Sequence, residues 1–117
     1  METKTFKTAK QVANELNKIA AAYGFVNETT LIENDMAYYA EETIEWADSM
    51  KAEKSFFNYS RNLYIRRHGV ESSLDRANHF GGILAKVTIK FDKTAKEYTV
   101  IRENISITNT GPGPPGP

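Results

Sequence analysis

Glu41, Glu42, Glu45 and Asp48 place four carboxylates within eight consecutive residues. On a helix, Glu41, Glu45 and Asp48 stand at i, i+4 and i+7 and share one face. Oxygen ligands grouped in this way suit a hard divalent cation. They equally suit a charged rim that selects a basic partner. The following block has the opposite sign: Lys51, Lys54, Arg61, Arg66 and Arg67 are interleaved with Phe56, Phe57, Tyr59 and Tyr64. Cations alternating with aromatic rings suit phosphate contacts and base stacking, which makes Lys54, Arg61, Arg66 and Arg67 the candidate nucleic-acid set. No zinc-finger spacing, recognition-helix turn or RNP-like strand accompanies them, and ion pairing to the acidic block explains the same residues. His68 and His79 are the only histidines. They could meet across a turn at Gly69 with Asp75 orienting one of them. No nucleophile elbow, His-Glu-x-x-His or phosphate loop stands near them. His68 beside Gly69 reads more simply as a cation at a helix C-terminus.

The Glu-Glu-x-x-Glu run at 41–45 resembles the first half of the metal-binding signature of all-helical nucleotide pyrophosphatases of the MazG type. That family's second half is Glu-x-x-Asp on a later helix. Here Glu71 and Asp75 are spaced Glu-x-x-x-Asp, one residue too long, and a strand pattern follows where another helix is required. The resemblance is confined to this run, so no metal, cofactor or enzymatic activity is assigned from it.

Composition bounds the remaining options. The chain has 117 residues, 40% of them hydrophobic, with 15 basic and 15 acidic groups. That suits one domain able to bury roughly two-thirds of its unfolded surface. A mean hydropathy of -0.52 at zero net charge is too apolar for a disordered chain. The absence of cysteine removes disulfide scaffolds, thiolate metal sites and thiol nucleophiles. No apolar run approaches the roughly 18 residues of a membrane span, and Met1-Glu2-Thr3-Lys4-Thr5 is not the opening of a signal peptide. A cytoplasmic or virion-associated location is expected. Charge is segregated: residues 25–50 hold seven carboxylates and no cation, so a polarised surface follows.

The elements that must position these groups begin with a well-signalled helix. Thr8 and Gln11 have capping-box spacing. Ala9, Val12, Leu16, Ile19 and Tyr23 repeat at helical period, and Gly24 stops the helix. A second helix is expected to open near Thr30–Glu33 and to carry the stripe Met36, Tyr39, Thr43, Trp46 and Met50. Both stripes look like helix-on-helix seams. A third helix is expected from about Ser55 to Arg67, with its continuity with the second left open by the sequence, and a short fourth around Ser72–Phe80 before Gly81-Gly82. The period then changes. Ile83, Ala85, Val87, Ile89 and Phe91 alternate with polar neighbours as a half-buried strand. Turn chemistry at 92–97 leads to a return strand at 98–102, with a shorter one possible at 104–108. The fold class is therefore α+β: three to four N-terminal helices followed by a C-terminal antiparallel hairpin or short meander.

Residues 1–110 form the single expected domain. Residues 111–117, Gly-Pro-Gly-Pro-Pro-Gly-Pro, form an extended tail resembling the start of a collagen repeat. No enzyme machinery is complete, so the expected role is a structural or adaptor domain that self-associates or docks into a larger assembly, with the tail pointing to a viral or mobile-element one. Met36, Tyr39, Trp46 and Met50 are its candidate apolar anchors, with Glu41, Glu42, Glu45 and Asp48 as the charged rim. The hairpin would offer a strand edge for β-augmentation. The alternatives are an inhibitor-type binder using the acidic helix and a nucleic-acid module using the basic-aromatic segment.

Overall fold

The alternation from Ile83 to Phe91 produces the strand on which the other elements are aligned. A computed structural model describes residues 1–25, 35–52 and 58–105, without the side chains of 51 and 52. Its elements, in chain order, are β1 (Glu2–Phe6), α1 (Ala9–Ala22), α2 (Met36–Ala52), β2 (Tyr59–Arg66), β3 (Gly69–Glu71), α3 (Leu74–Phe80), β4 (Ile83–Asp92) and β5 (Glu97–Asn104). The strands form one five-stranded sheet in the order β1-β5-β4-β2-β3, antiparallel throughout.

The α+β class stands, but the expected arrangement does not. The chain begins with a strand, and helices lie between strands instead of preceding them all. The largest correction concerns 59–66, expected to be helical. Tyr59, Arg61, Leu63 and Ile65 pair with Phe91, Ile89, Val87 and Ala85 on one face of the sheet, while Ser60, Asn62 and Tyr64 take the other. This segment satisfies a period of two as well as a helical one. The β-branched and aromatic side chains at its centre gain more by pairing with β4 than by forming a helix. The β4–β5 hairpin occurs where expected but lies inside the sheet, so it offers no free edge; the outer strands are β1 and β3. His68 sits in the β2–β3 turn and caps no helix. The expected helix starts at 30 and 55, the join between the second and third helices, the strand at 106–108 and the 111–117 tail fall outside the described residues.

Local signals explain the elements that match. Thr8 accepts from the Gln11 amide at 3.1 Å while the Gln11 side chain accepts from the Thr8 amide, a complete capping box at the start of α1. The Ser73 side chain caps α3, which Gly81 ends at φ 75°, a conformation glycine adopts without strain. Asp92 closes the hairpin by accepting from the amides of Thr94 and Ala95.

The sheet has two different faces. One carries Leu63, Ile65, Ala85, Val87, Ile89, Phe91, Tyr98 and Val100, buried beneath α1 and α2. Its outermost row is aromatic across four strands: Phe6, Tyr98, Phe91 and Tyr59 are successive cross-strand partners. The next row, Lys4, Val100, Ile89 and Arg61, is apolar in the middle and cationic at both ends. Those two cations reach up to the helices, Lys4 to Glu15 of α1 at 3.2 Å and Arg61 to Glu42 of α2 at 2.9 Å. Alanines at 9, 13, 20, 40 and 47 are buried in the helix layer. A bulge between Ile65 and Arg66 pairs Arg66 with Ile83. Ile83 thereby joins Tyr64 and Ala77 of α3 on the opposite face.

Truncating the fully buried Leu63 to Ala should cost about 2–5 kcal/mol, because transfer and cavity terms add. Lys96, held at φ 56°, should behave oppositely: Lys96→Gly removes left-handed strain and is expected to stabilise by up to about 1 kcal/mol. Chemical denaturation of both variants checks the pair, and a stabilised Leu63→Ala or a destabilised Lys96→Gly would contradict the packing described.

Candidate functional site

Helix α2 brings the expected partner-binding residues into two environments. Met36 and Tyr39 are buried with Ala40, Thr43 and Ala47 against the chain's own sheet and α1. The buried Thr43 hydroxyl donates to the Tyr39 carbonyl at 2.7 Å. Trp46 is half-buried, its ring 4.6 Å from that of Tyr59, and its indole N–H has no acceptor among the described residues. Met50 is half-exposed. The apolar stripe is thus spent mostly within the domain, since an exposed sheet face of this size has to be covered.

The carboxylates divide as well. Glu42 is engaged by Arg61. Glu41, Glu45 and Asp48 are exposed and make no ion pair among the described residues. Tyr38, Glu41, Glu42 and Glu45 line a shallow depression of about 120 Å³. Among the described residues no three metal-ligating groups converge.

The basic set is dispersed. Arg61 lies on the helix-covered face, tied to Glu42. Arg66 points to the opposite face, and Arg67 is exposed in the β2–β3 turn. Lys54 falls outside the described residues. Of the aromatic rings expected to stack on bases, Tyr59 lies under Trp46 and Tyr64 in the cluster beneath α3, while Phe56 and Phe57 fall outside the described residues. His68 and His79 are both exposed, and neither is hydrogen-bonded among the described residues. The His79 ring stands edge-on to Phe80 at 5.1 Å.

The open face of the sheet carries Thr3, Thr5, Thr99, Ile101, Lys86, Thr88, Lys90, Ser60 and Asn62, a largely polar surface of the kind antiparallel sheets present to water. It contains a depression of about 390 Å³ lined by Asn58, Tyr59, Ser60, Lys90, Phe91, Asp92 and Thr99. Two of its polar groups are already committed to turn geometry. Asn58 accepts from the Lys93 amide at 2.9 Å, and Asp92 holds the hairpin turn.

The feature that sequence reasoning missed lies on α3. Phe80 is 53% exposed and Leu74 49%. The Phe80 ring is flanked by two guanidinium groups, Arg66 at 5.0 Å and Arg76 at 5.9 Å from its centroid. Arg66 is only 9% exposed; its Nε donates to the Gly81 carbonyl at 3.0 Å, and no carboxylate faces it among the described residues. Arg76 donates to the buried carboxylate of Glu71 at 3.1 Å. Leu74, Ala77 and Phe80 follow one another at intervals of three. On a helix they fan out around the buried direction, so only the central Ala77 is covered. That spacing was the available signal.

Comparison with protein-family models, curated proteins and solved structures finds no match. The functional reading therefore rests on geometry and charge alone.

Tyr98 links α2 to the sheet electrostatically. Burial first, and then the nearby Asp48 carboxylate, push its phenol above the ordinary 10.0. The fold favours the protonated phenol, so its contribution is intact below pH 10 and is lost as pH rises from there toward the folded-state value. Thermal melts between about pH 9 and about pH 11 should fall more steeply for the wild type than for Tyr98→Phe. Parallel declines would refute this role for Tyr98.

Proposed function

We propose that this chain is a non-enzymatic structural or adaptor domain that docks onto a protein partner within a larger assembly. The observation that carries this reading is Phe80, a large aromatic side chain half in solvent and held by two guanidiniums instead of being packed away. Aromatic and arginine side chains dominate the energetic centres of protein interfaces. Ordering such a residue before binding also removes part of the entropy that docking must otherwise overcome. Leu74 extends the surface on the far side of the buried Ala77. The α2 carboxylates, unpaired among the described residues, add a second charged surface on the other face of the sheet. Those carboxylates also support an inhibitor-type binder that presents Glu41, Glu45 and Asp48 to a basic partner. The two uses differ in which face a partner covers.

The test is capture on the immobilised full chain, offered both the chain itself and an extract of its source. Phe80→Ala should leave the circular dichroism spectrum and melting temperature near those of the wild type, because little burial is lost. It should weaken retention at least about tenfold, as expected for an interface anchor. Retention that depends on Glu41 and Glu45 but is indifferent to Phe80→Ala would favour the inhibitor-type binder. Retention indifferent to both sets of changes would remove the docking reading.

A further inference from the structure

We infer that the Arg66–Phe80–Arg76 cluster is the receiving site for the α2 carboxylates of a second copy of this chain, so that copies join head to tail. This deepens the docking reading above and rests on it.

The first observation is the state of Arg66. Arg66 is 9% exposed as a residue, and a cation with so little contact with water gains from a carboxylate partner. Arg66 has the Gly81 carbonyl at 3.0 Å and the face of Phe80, and no carboxylate among the described residues. Stacking occupies the face of a guanidinium and leaves its in-plane terminal N–H donors for a planar, two-oxygen acceptor. Arg67 and Arg76 lie beside it, Arg67 against Gly82 and Arg76 at 5.9 Å from the Phe80 ring centroid. Among the described residues, the carboxylates beside the cluster are Glu71, already held by Arg76, and the exposed Asp75, while Glu103 lies farther along the same face next to Lys86. The cluster is thus a cationic site with an apolar centre and an unmet need for anions.

The second observation is where the chain keeps its surplus anions. Glu41, Glu45 and Asp48 are exposed on α2 and unpaired among the described residues, whereas Glu15 and Glu42 of the same helix layer are each held by a cation of the sheet. α2 covers one face of the sheet and α3 packs on the other. Donor and acceptor surfaces therefore look in opposite directions and cannot neutralise each other within one molecule. Between molecules they can, and the contact is heterologous: two different patches meet, and each copy keeps one of each free. Rings form where the rotation closes, and open chains form where it does not.

The geometry dictates a complementation experiment. Light-scattering molar mass is measured after size exclusion on the full chain, at about 50 mM and about 500 mM salt. The wild type should grow in mass with concentration at low salt and dissociate at high salt. Glu41→Lys/Glu45→Lys alters only exposed α2 positions and should weaken self-association at least about tenfold. Phe80→Ala/Arg67→Glu, at exposed positions on the other side, should do the same. Mixed in equal amounts, the two variants should form a one-to-one dimer and nothing larger, because each supplies the one intact surface the other lacks.

A wild type that is monomeric at low salt would overturn the inference. So would a mixture that stays monomeric, or variants that each associate as the wild type does. The docking reading is judged separately: if self-association is absent but Phe80→Ala still weakens capture of another protein, the second-copy inference fails and the docking reading stands.

Discussion

Strand β4 sets the constraint on which the rest of the molecule depends. It is the central strand, and both β2 and β5 take their register from it. Because side chains alternate across a sheet, a one-residue slip on either side would turn Leu63 and Ile65, or Tyr98 and Val100, out of the core. The register also lines up the aromatic row from Phe6 to Tyr59 and places Lys4 and Arg61 at opposite ends of the next row. Each of those cations then meets a carboxylate of the helix above it, Glu15 or Glu42. The placement of α1 and α2 over the sheet is thus specified twice, by apolar rows and by two flanking ion pairs. The bulge at Ile65 and Arg66 ends this regularity. It turns Ile83 to the other face, beside Arg66, and creates the seat for α3.

How much of this was legible follows from how many periods each segment satisfies. The α1 signals agree at every level: cap, apolar repeat and stop. β4 alternates without ambiguity through Ala85, Val87, Ile89 and Phe91. The stretch at 59–66 is dense in aromatic and aliphatic residues, so helical and strand faces can both be drawn through it, and only pairing with β4 decides between them. β1 was hidden for another reason: Glu2, Thr3, Lys4 and Thr5 contain no apolar residue, and the strand is held by β5 and by Lys4's contact with Glu15. The α2 stripe was legible as an apolar face but not as to what it covers. A sheet built partly from an unrecognised strand supplied the missing surface, and Met36 and Tyr39 went to the core. The expected ion pairing between acidic and basic blocks is met at Glu42 and Arg61, although Arg61 reaches it from a strand. The α3 cluster was legible only in part: the three-residue spacing of Leu74, Ala77 and Phe80 was there to read, but the approach of Arg66 to Phe80 depends on how β2 and α3 meet in the fold.

The net charge of zero conceals a surface sorted by sheet face. Charges that fasten the fold are paired: Lys4 with Glu15, Lys7 with Glu97, Arg61 with Glu42, Arg76 with Glu71 and Arg102 with Glu2. Several of these are partly exposed and individually weak. Their value lies in register and in the angle at which helices meet the sheet. Among the described residues, Glu41, Glu45 and Asp48 on α2 have no cation and Arg66 beside Phe80 has no carboxylate. A fold needing only solubility would gain from mixing the signs, which lowers self-repulsion within each patch and removes a directional field. Keeping them on opposite faces makes the domain directional.

Directionality matters most when contacts are weak. Each charged contact between exposed groups contributes little and is screened by salt. A single docking event through such patches therefore depends on its apolar centre. Phe80 suits that role because two guanidinium groups lie within about 6 Å of its ring and restrict it before any partner arrives. One contact of this kind gives modest affinity. Repeated along a scaffold that holds many copies at high local concentration, the same contact becomes effectively intramolecular and gains orders of magnitude without a new interaction. A small domain with one rigid aromatic anchor and two opposed charge patches is poorly suited to tight solitary binding. The array is what the proposed docking contact would build, and there so weak a contact would suffice.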